Sequence, residues 1–421
     1  MYPPRIKTGA FLLEGLNSVS ATFYFYFVYW FLSRELGFGS RENLMWAVGH
    51  GAVYIFASLQ GGRYGQRHGY LRAIMLGFAG MSACFLTGWV IHLAGLPRTT
   101  EIVLQATLMV LATISICFTW PNLEAIVSEG EPGHRLQRYL GIYNLVWSGA
   151  GALAYFVGGA LVEAIGGRNL VLLVPGLMIA GQLVIALRLQ RSTPLAAAVS
   201  HAPHGALGSE EERHRSPIPP RTFLIMSWIA NPCAYVAINA AVPLIPSLAE
   251  RLGLGAGAAG VFCSIWLFAR TATFYALWRW NGWHYRFRWL VGAFLAMIAG
   301  FLFIFLSATF TSLPRPQILA LASLAQILFG LGLGLIYYSS LFYSMDVGDT
   351  KGDHGGIHEA AIGAGIFGGP LVGAAAEFAR PGSPTAAAWA VSAVLAVGLG
   401  TLVFLRTRAT RATRGTHAIS R

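Results

Sequence analysis

Charge is what this sequence has least of. Only 11% of its 421 residues are Asp, Glu, Lys or Arg while 55% are hydrophobic, about half the charge of a soluble domain, so a water-facing surface cannot be built from it. Lysine is nearly missing, with Lys7 and Lys351 alone. Neither ends a G-x-x-x-x-G-K-[ST] loop, which excludes an ATP-driven motor within the chain. Cysteine is as sparse. Cys84, Cys117, Cys233 and Cys263 all fall in apolar stretches and show no metal-ligand spacing, so they read as core packing. The first apolar stretch lacks both a strongly basic leader and a small-residue cleavage site, and it reads as a retained helix.

What the chain has in quantity is long apolar runs. Twelve occur, near 10–33, 43–62, 71–94, 101–128, 139–165, 168–189, 222–249, 256–278, 288–311, 316–345, 355–378 and 385–405. About 20 helical residues cross a bilayer's hydrocarbon core, so the expected class is an all-α integral membrane protein with 12 transmembrane helices. The net charge of +12 might suggest nucleic acid, but the placement of the basic residues excludes it. With the N-terminus inside, 21 Lys and Arg fall in inner segments, seven in outer loops, and Arg270 stands within a span. That bias orients a membrane protein and brings anionic lipid head groups into contact. The expected location is the cytoplasmic (inner) membrane, multi-pass, with both termini cytoplasmic.

Residues 190–221, rich in Pro, Ser, Ala and charge, interrupt the apolar pattern and read as a flexible cytoplasmic linker. Its His201, His204 and His214 are irregularly spaced and read as solvated rather than metal-binding. On either side of it the chain repeats. LGFG at 36–39 returns as LGLG at 252–255, and Arg63, His68 and Arg72 return as Arg279, His284 and Arg288, both at an offset of 216. GIYN at 141–144 returns as GIHE at 356–359, at 215. The expected organisation is a six-helix half over 1–189, the linker, a second six-helix half over 222–405, and a basic cytoplasmic tail over 406–421.

Twelve spans in two pseudo-symmetric six-helix bundles around a long central loop resemble the major facilitator superfamily of transporters. The family's G-x-x-x-D-[RK]-x-G-[RK] motif between the second and third spans is similar to GRYGQRHGY, Gly62 to Tyr70. Gly62, Arg67 and Gly69 match, and Gln66 stands where the family has aspartate. The resemblance implies a conformational latch made of Gly62, Gln66, Arg67, Gly69 and Arg72, without the aspartate's charge. The second-half counterpart, WRWNGWHYRFR, departs further, and GAGALAYFVGG in the fifth span lacks the Gly-Pro pair of the proton-coupled antiporter motif.

Polar side chains within the spans point to the site. A charged group near a helix centre costs roughly 2.5 to 3.5 kcal/mol on insertion scales, so those that persist face a cavity or a partner. Arg270 lies about 14 residues into its span, roughly 21 Å at about 1.5 Å per residue. It reads as an anchor for an anionic or hydroxyl-rich solute, or as a partner for Glu359, against a plain reading of snorkelling towards head groups. Trp266 is one turn away on the same face, and His50 and Tyr54 hold the aligned positions in the first half. Spans one and seven offer Asn17 with Tyr24, and Asn231, Tyr235 and Asn239; span ten offers Gln326, Tyr337 and Tyr338. Asn144 and Trp147 of the fifth span complete the expected cavity. Each of these taken singly serves equally as interhelical glue. In TWPNLE, Pro121 frees a backbone carbonyl near Trp120, Asn122 and Glu124.

Protonatable groups within the spans are few: Glu14, Glu124, His358 and Glu359 are the coupling candidates, beside His50. The reading is a secondary active transporter for a small organic solute, working by alternating access with proton coupling, as a monomer and without metal, cofactor or catalytic residues. Against it stand a passive facilitator, a transport-dead receptor and a membrane-embedded enzyme. HEAAI at 358–362 is not H-E-x-x-H, which counts against the last.

Overall fold

In the computed structural model, residues 2–131, 133–191, 216–242, 244–307, 309–310, 312–348, 350–380, 383 and 385–419 are described. Their regular structure is helical throughout, since a backbone inside lipid has to satisfy its own hydrogen bonds. The helices are α1 (Pro4–Glu35), α2 (Ser40–His68), α3 (Tyr70–Leu93), α4 (Arg98–Ile116), α5 (Trp120–Ser128) and α6 (Gly133–Ile165). A π-helical turn (Asn169–Leu173) then leads into α7 (Val174–Arg191). Beyond the linker come α8 (Pro220–Ala241), α9 (Leu244–Arg251), α10 (Ala256–Arg279), α11 (Phe287–Ser307), α12 (Arg315–Val347), α13 (Lys351–Ala379) and α14 (Ala386–Ile419). Residues 192–215, with most of the expected linker and its three histidines, lie outside the described residues.

Proline places several of these boundaries. α1, α5, α8 and α12 carry it in their first turn, where its missing N–H costs nothing. The fourth apolar stretch is two helices, because the chain leaves the helical path at 117–119 just before Pro121. The seventh is also divided: α8 stops at Ala241 and α9 starts at Leu244, with a proline between them in the sequence. The twelfth is longer than expected. α14 continues to Ile419, so most of the segment read as a separate tail is helix, in keeping with a run of Arg, Ala and Thr that holds no proline.

Ten helical stretches among the described residues are long and apolar enough to cross a membrane. α1 and α2, at 32 and 29 residues, have the length but not the apolarity. The reason is local: α1 carries Glu14, Asn17, Ser18, Ser20 and Thr22, all buried inside the protein. Glu14, Ser18 and Thr22 face a cavity, and Asn17 and Ser20 face neighbouring helices, so none of them meets lipid.

α1 packs on α6 and α7, and α3 on α4 and α7; in the second half α12 packs on α8, α10 and α11, and α14 on α8, α11 and α13. The two groups meet along α2 with α13 and along α6 with α10. Alternating passage puts both chain ends and the linker attachment points on one face of the bundle, called here the linker face. Glycine permits the α2–α13 approach: a Cβ on Gly62 would lie 2.3 Å from the Gly352 carbonyl oxygen, and one on Gly51 2.4 Å from the Phe367 nitrogen. Gly356 and Gly363 of α13 meet the α2 backbone in return, at Ser58 and Ile55. Such small-residue contacts let helices close in lipid, where packing rather than hydrophobicity drives association.

The internal repeat is visible on the linker face. Tyr70 and Tyr285 are 215 residues apart, as are Glu131 and Asp346. The Tyr70 hydroxyl lies 2.7 Å from Gln66 Oε1 and 3.3 Å from Glu129 Oε2, and the Tyr285 hydroxyl donates to Asp346. Buried Lys7 ties α1 to the end of α5, donating to Glu131 Oε1 at 2.6 Å and to the carbonyls of Val127 and Glu129. Gly62→Val should separate α2 from α13 at the linker face. Overpacking of this kind costs about 1–3 kcal/mol, and the expected readouts are a lower unfolding temperature and faster labelling of Ser58→Cys, a near-isosteric change on the α2 side of the seam.

Candidate functional site

The break before α5, the close α2–α13 contact and the division of the chain into two helix groups leave one large cavity between them. It encloses about 1120 Å³ of space not filled by atoms, its open mouth included. α1 supplies a continuous stripe to its wall, Glu14, Ser18, Thr22, Phe25, Tyr26 and Tyr29, at the spacing of one helical face. α8 supplies Tyr235, Ile238, Asn239 and Val242, and α13 supplies Glu359, Ile362 and Ile366. Each of these stripes begins near the linker-face side of the cavity and runs away from that face. On the linker-face side α2 meets α13 at Gly62 and Gly352, and α6 meets α10 at Gln137 and Gly141 against Leu277 and Trp278.

Of the residues expected from sequence, Glu14, His50, Tyr54, Trp147, Tyr235, Asn239, Arg270, Tyr337 and Glu359 stand on the cavity wall. Others are near but turned into helix contacts. Asn17 donates to Thr119 Oγ1 at 3.3 Å, at the break between α4 and α5, and Tyr24 packs on Phe85 with ring centres 4.6 Å apart. Asn144 accepts the indole N–H of Trp147 at 3.0 Å, and Tyr338 donates to the Gln137 carbonyl. Asn231, Gln326, Trp266, His358 and Glu124 are buried off the wall. The α1 face that lines the cavity is one residue on from the Asn17–Tyr24 face, about 100° around the helix. Phe25, Tyr26, Tyr29 and Tyr143 are wall residues outside the sequence expectation, and Trp120 of TWPNLE stands with them on the wall. The signal for several of them was the aromatic run FYFYFVYW, which marks α1 as unlike a lipid-facing helix.

Three carboxylates gather at the linker-face end of the cavity. Glu359 Oε2 accepts from the Tyr54 hydroxyl at 2.5 Å. Glu14 Oε1 accepts from Ser18 at 3.1 Å, while its Oε2 has no hydrogen-bond partner. Both oxygens of Glu124 are buried without a hydrogen bond, and Oε1 lies 3.8 Å from His358 Nε2. On its other edge the His358 ring meets Ser340 Oγ at 2.9 Å, which fixes its orientation. Glu124, His358 and Glu359 offer ligand atoms within 4.8 Å of one another. The adjacency of His358 and Glu359 was legible; the third member, from α5, is brought by the fold. A cluster of this composition is a seat for a cation, whether a proton or a metal ion.

Arg270 stands apart from these acids. Its guanidinium carbon lies 4.5 Å from the centre of the Trp147 ring and 5.3 Å from that of Trp266. Among the described residues no carboxylate comes within 4 Å of it, and its Nε has no hydrogen-bond partner. The expected pairing with Glu359 is therefore not made: Tyr54 holds Glu359 and two indoles hold Arg270. The cavity has a cationic wall and a separate acidic end.

At the motif between α2 and α3, Gln66 stands where α2 meets the start of α13. Gln66 Oε1 accepts the Gly352 backbone N–H at 2.9 Å, in the first turn of α13, and the Tyr70 hydroxyl at 2.7 Å. A carbonyl dipole thus meets the positive end of α13 where a charge would bind more strongly. Gly69, the single residue between α2 and α3, has φ of +98° and permits the sharp reversal. Arg67 and Arg72 are exposed.

A bundle of membrane-length helices with a cavity between two repeated halves is the architecture of a multi-pass membrane transporter. The chain belongs to the Major Facilitator Superfamily, whose model matches residues 10–370. It carries a small-molecule solute across a membrane, and its fold is that family's two pseudo-symmetric bundles. Solved structures that it resembles include the human organic anion transporter MFSD10 (TETRAN), 13% identical, covering 95% of this chain and 100% of that one with a TM-score of 0.66. The proton:xylose symporter XylE bound to 6-bromo-6-deoxy-D-glucose is 11% identical, with 94% and 95% covered and a TM-score of 0.67. A bacterial homologue of the iron transporter ferroportin, outward-facing with soaked iron, is 13% identical, with 95% and 99% covered and a TM-score of 0.67. At these identities the likeness is one of fold. No curated relative matches at the level of sequence.

Gln66→Leu should open the linker face more readily. It removes the acceptor of two hydrogen bonds and leaves the Gly352 N–H unpaired, at a cost of about 1–3 kcal/mol. Labelling of Ser58→Cys is expected to accelerate on the order of tenfold by that cost, and an unchanged rate counts against the latch.

Proposed function

We propose that this chain is a secondary active transporter that moves a small organic solute across the cytoplasmic membrane by alternating access, coupled to protons. The observation that carries this reading is the group Glu14, Glu124 and Glu359, buried together at one end of the cavity with no Lys or Arg within 4 Å among the described residues. Carboxylates so placed need a cation to neutralise them, and a proton can arrive by the cavity wall at Glu359. His358, oriented by Ser340, serves as neighbour and relay.

The closed linker face and the cavity that extends away from it correspond to the outward-facing arm of the cycle, with the linker face in the cytoplasm as the 21-to-seven distribution of basic residues implies. Opening then requires α2 to part from α13. That movement would disturb the Tyr54–Glu359 hydrogen bond, since its two partners belong to those two helices. Gate movement and proton release are thereby joined at one contact. The protein is read as a monomer in contact with anionic lipid through its basic inner loops.

The test uses purified protein in proteoliposomes, with solutes first screened by thermal shift across sugars, organic acids, amino acids and nucleosides. One proton per solute allows about tenfold accumulation for each pH unit imposed. Glu359→Gln should bring the accumulation ratio to about one, the value without coupling, yet leave exchange of internal for external solute running. A passive facilitator would ignore the imposed gradient in the wild-type protein, and that result overturns the proposal.

A further inference from the structure

We infer that the solute is an organic monoanion, a carboxylate carried on a flat and largely apolar body, and that Arg270 receives the carboxylate beside Trp147. This deepens the reading of the cavity as the transport site and rests on it. Arg270 is permanently charged and only 5% exposed. Two indole faces attract a guanidinium through their quadrupoles but carry no net charge to neutralise it. A buried cation left in that state calls for an anion from outside.

The receptor for that anion is tightly packed. α12 lies directly on the α10 backbone at Arg270, with glycine at the contact: a Cβ on Gly330 would lie 2.3 Å from the Trp266 carbonyl oxygen and 3.0 Å from the Arg270 nitrogen. The Trp147 ring is held from behind by its hydrogen bond to Asn144. The guanidinium fork is thus fixed against one ring, with Nε lacking a protein partner. A planar carboxylate matches such a fork with two parallel hydrogen bonds.

The rest of the wall selects what carries the charge. Phe25, Tyr26, Tyr29, Tyr235 and Tyr337 present rings to the cavity. Asn239, an amide on the wall, already gives its N–H to the Tyr235 carbonyl. Most of the exposed wall is apolar, so a flat ring finds stacking surface along it, while the tyrosine hydroxyls add only local hydrogen bonds. The acidic end fixes direction, since Glu14 and Glu359 offer the carboxylate no positive charge, which stands only on the Arg270 side.

Matched pairs test this on the purified full-length protein at one fixed pH, by tryptophan fluorescence quenching and thermal shift. Benzoate is compared with benzamide, and indole-3-acetate with indole-3-acetamide; gluconate serves as a carboxylate without a flat body. The carboxylates should bind on the order of tenfold or more tightly than their amides, as a charge-assisted pair implies, and benzoate more tightly than gluconate. Arg270→Gln should abolish the preference and Arg270→Lys should keep part of it. Equal binding of acid and amide by the wild-type protein overturns the inference, whether or not the variants fold. So does a preference that survives Arg270→Gln, or gluconate binding as well as benzoate. If the carboxylates bind through Arg270 but a pH gradient does not drive their accumulation, the proton coupling fails and the anion site stands.

Discussion

A charge inside a membrane must be surrounded by protein or water, and the architecture follows from that requirement. Glu14, Glu359 and Arg270 lie in helices of membrane length and Glu124 in the short α5 that ends the fourth apolar stretch, and all are at most 5% exposed. None can face lipid, where the cost is several kcal/mol per group. The helices that carry them therefore turn inwards onto one cavity or onto each other. This is also why α1 and α2, with their load of polar residues, are less apolar than the other ten stretches: their polar side meets the inside of the protein.

Glycine supplies the second half of the arrangement. The α2–α13 seam is close enough to forbid side chains at Gly51 and Gly62, and it is this seam that brings Tyr54 within hydrogen-bond reach of Glu359. The same seam ends at the linker face in the Gln66–Gly352 contact. One line of helix contact thus joins the Gln66–Gly352 contact, the Tyr54–Glu359 hydrogen bond and the acidic cluster. The proposed coupling needs no longer-range path, because a carboxylate and its hydrogen-bond donor lie on opposite sides of the surface that would part.

Much of this was legible in the sequence, for reasons that can be named. Span length follows from bilayer thickness, and the repeat survives in spacing, which is how Tyr143 and Asn144 of one half could be set against His358 and Glu359 of the other. Arg270 and Glu359 stood out because intramembrane charge is costly wherever it occurs. Less legible was which side of a polar helix faces the cavity. Asn17 and Tyr24 share a helical face, yet Glu14, Ser18 and Tyr29 share the one that lines the wall. Both faces are buried, so polarity alone does not tell solute contact from helix contact.

The sequence by itself determined the class, the spans, their pseudo-symmetry and the short list of ionisable groups within them, because each of these depends on local composition and spacing. Tertiary structure alone decided the partnerships. Glu124, 235 residues before Glu359, joins it and His358 in one cluster, while Arg270 is withheld from the acids and laid on Trp147 and Trp266. Such pairings depend on how helices from the two halves cross, and a crossing is set by the sum of many small contacts that no single stretch of sequence contains.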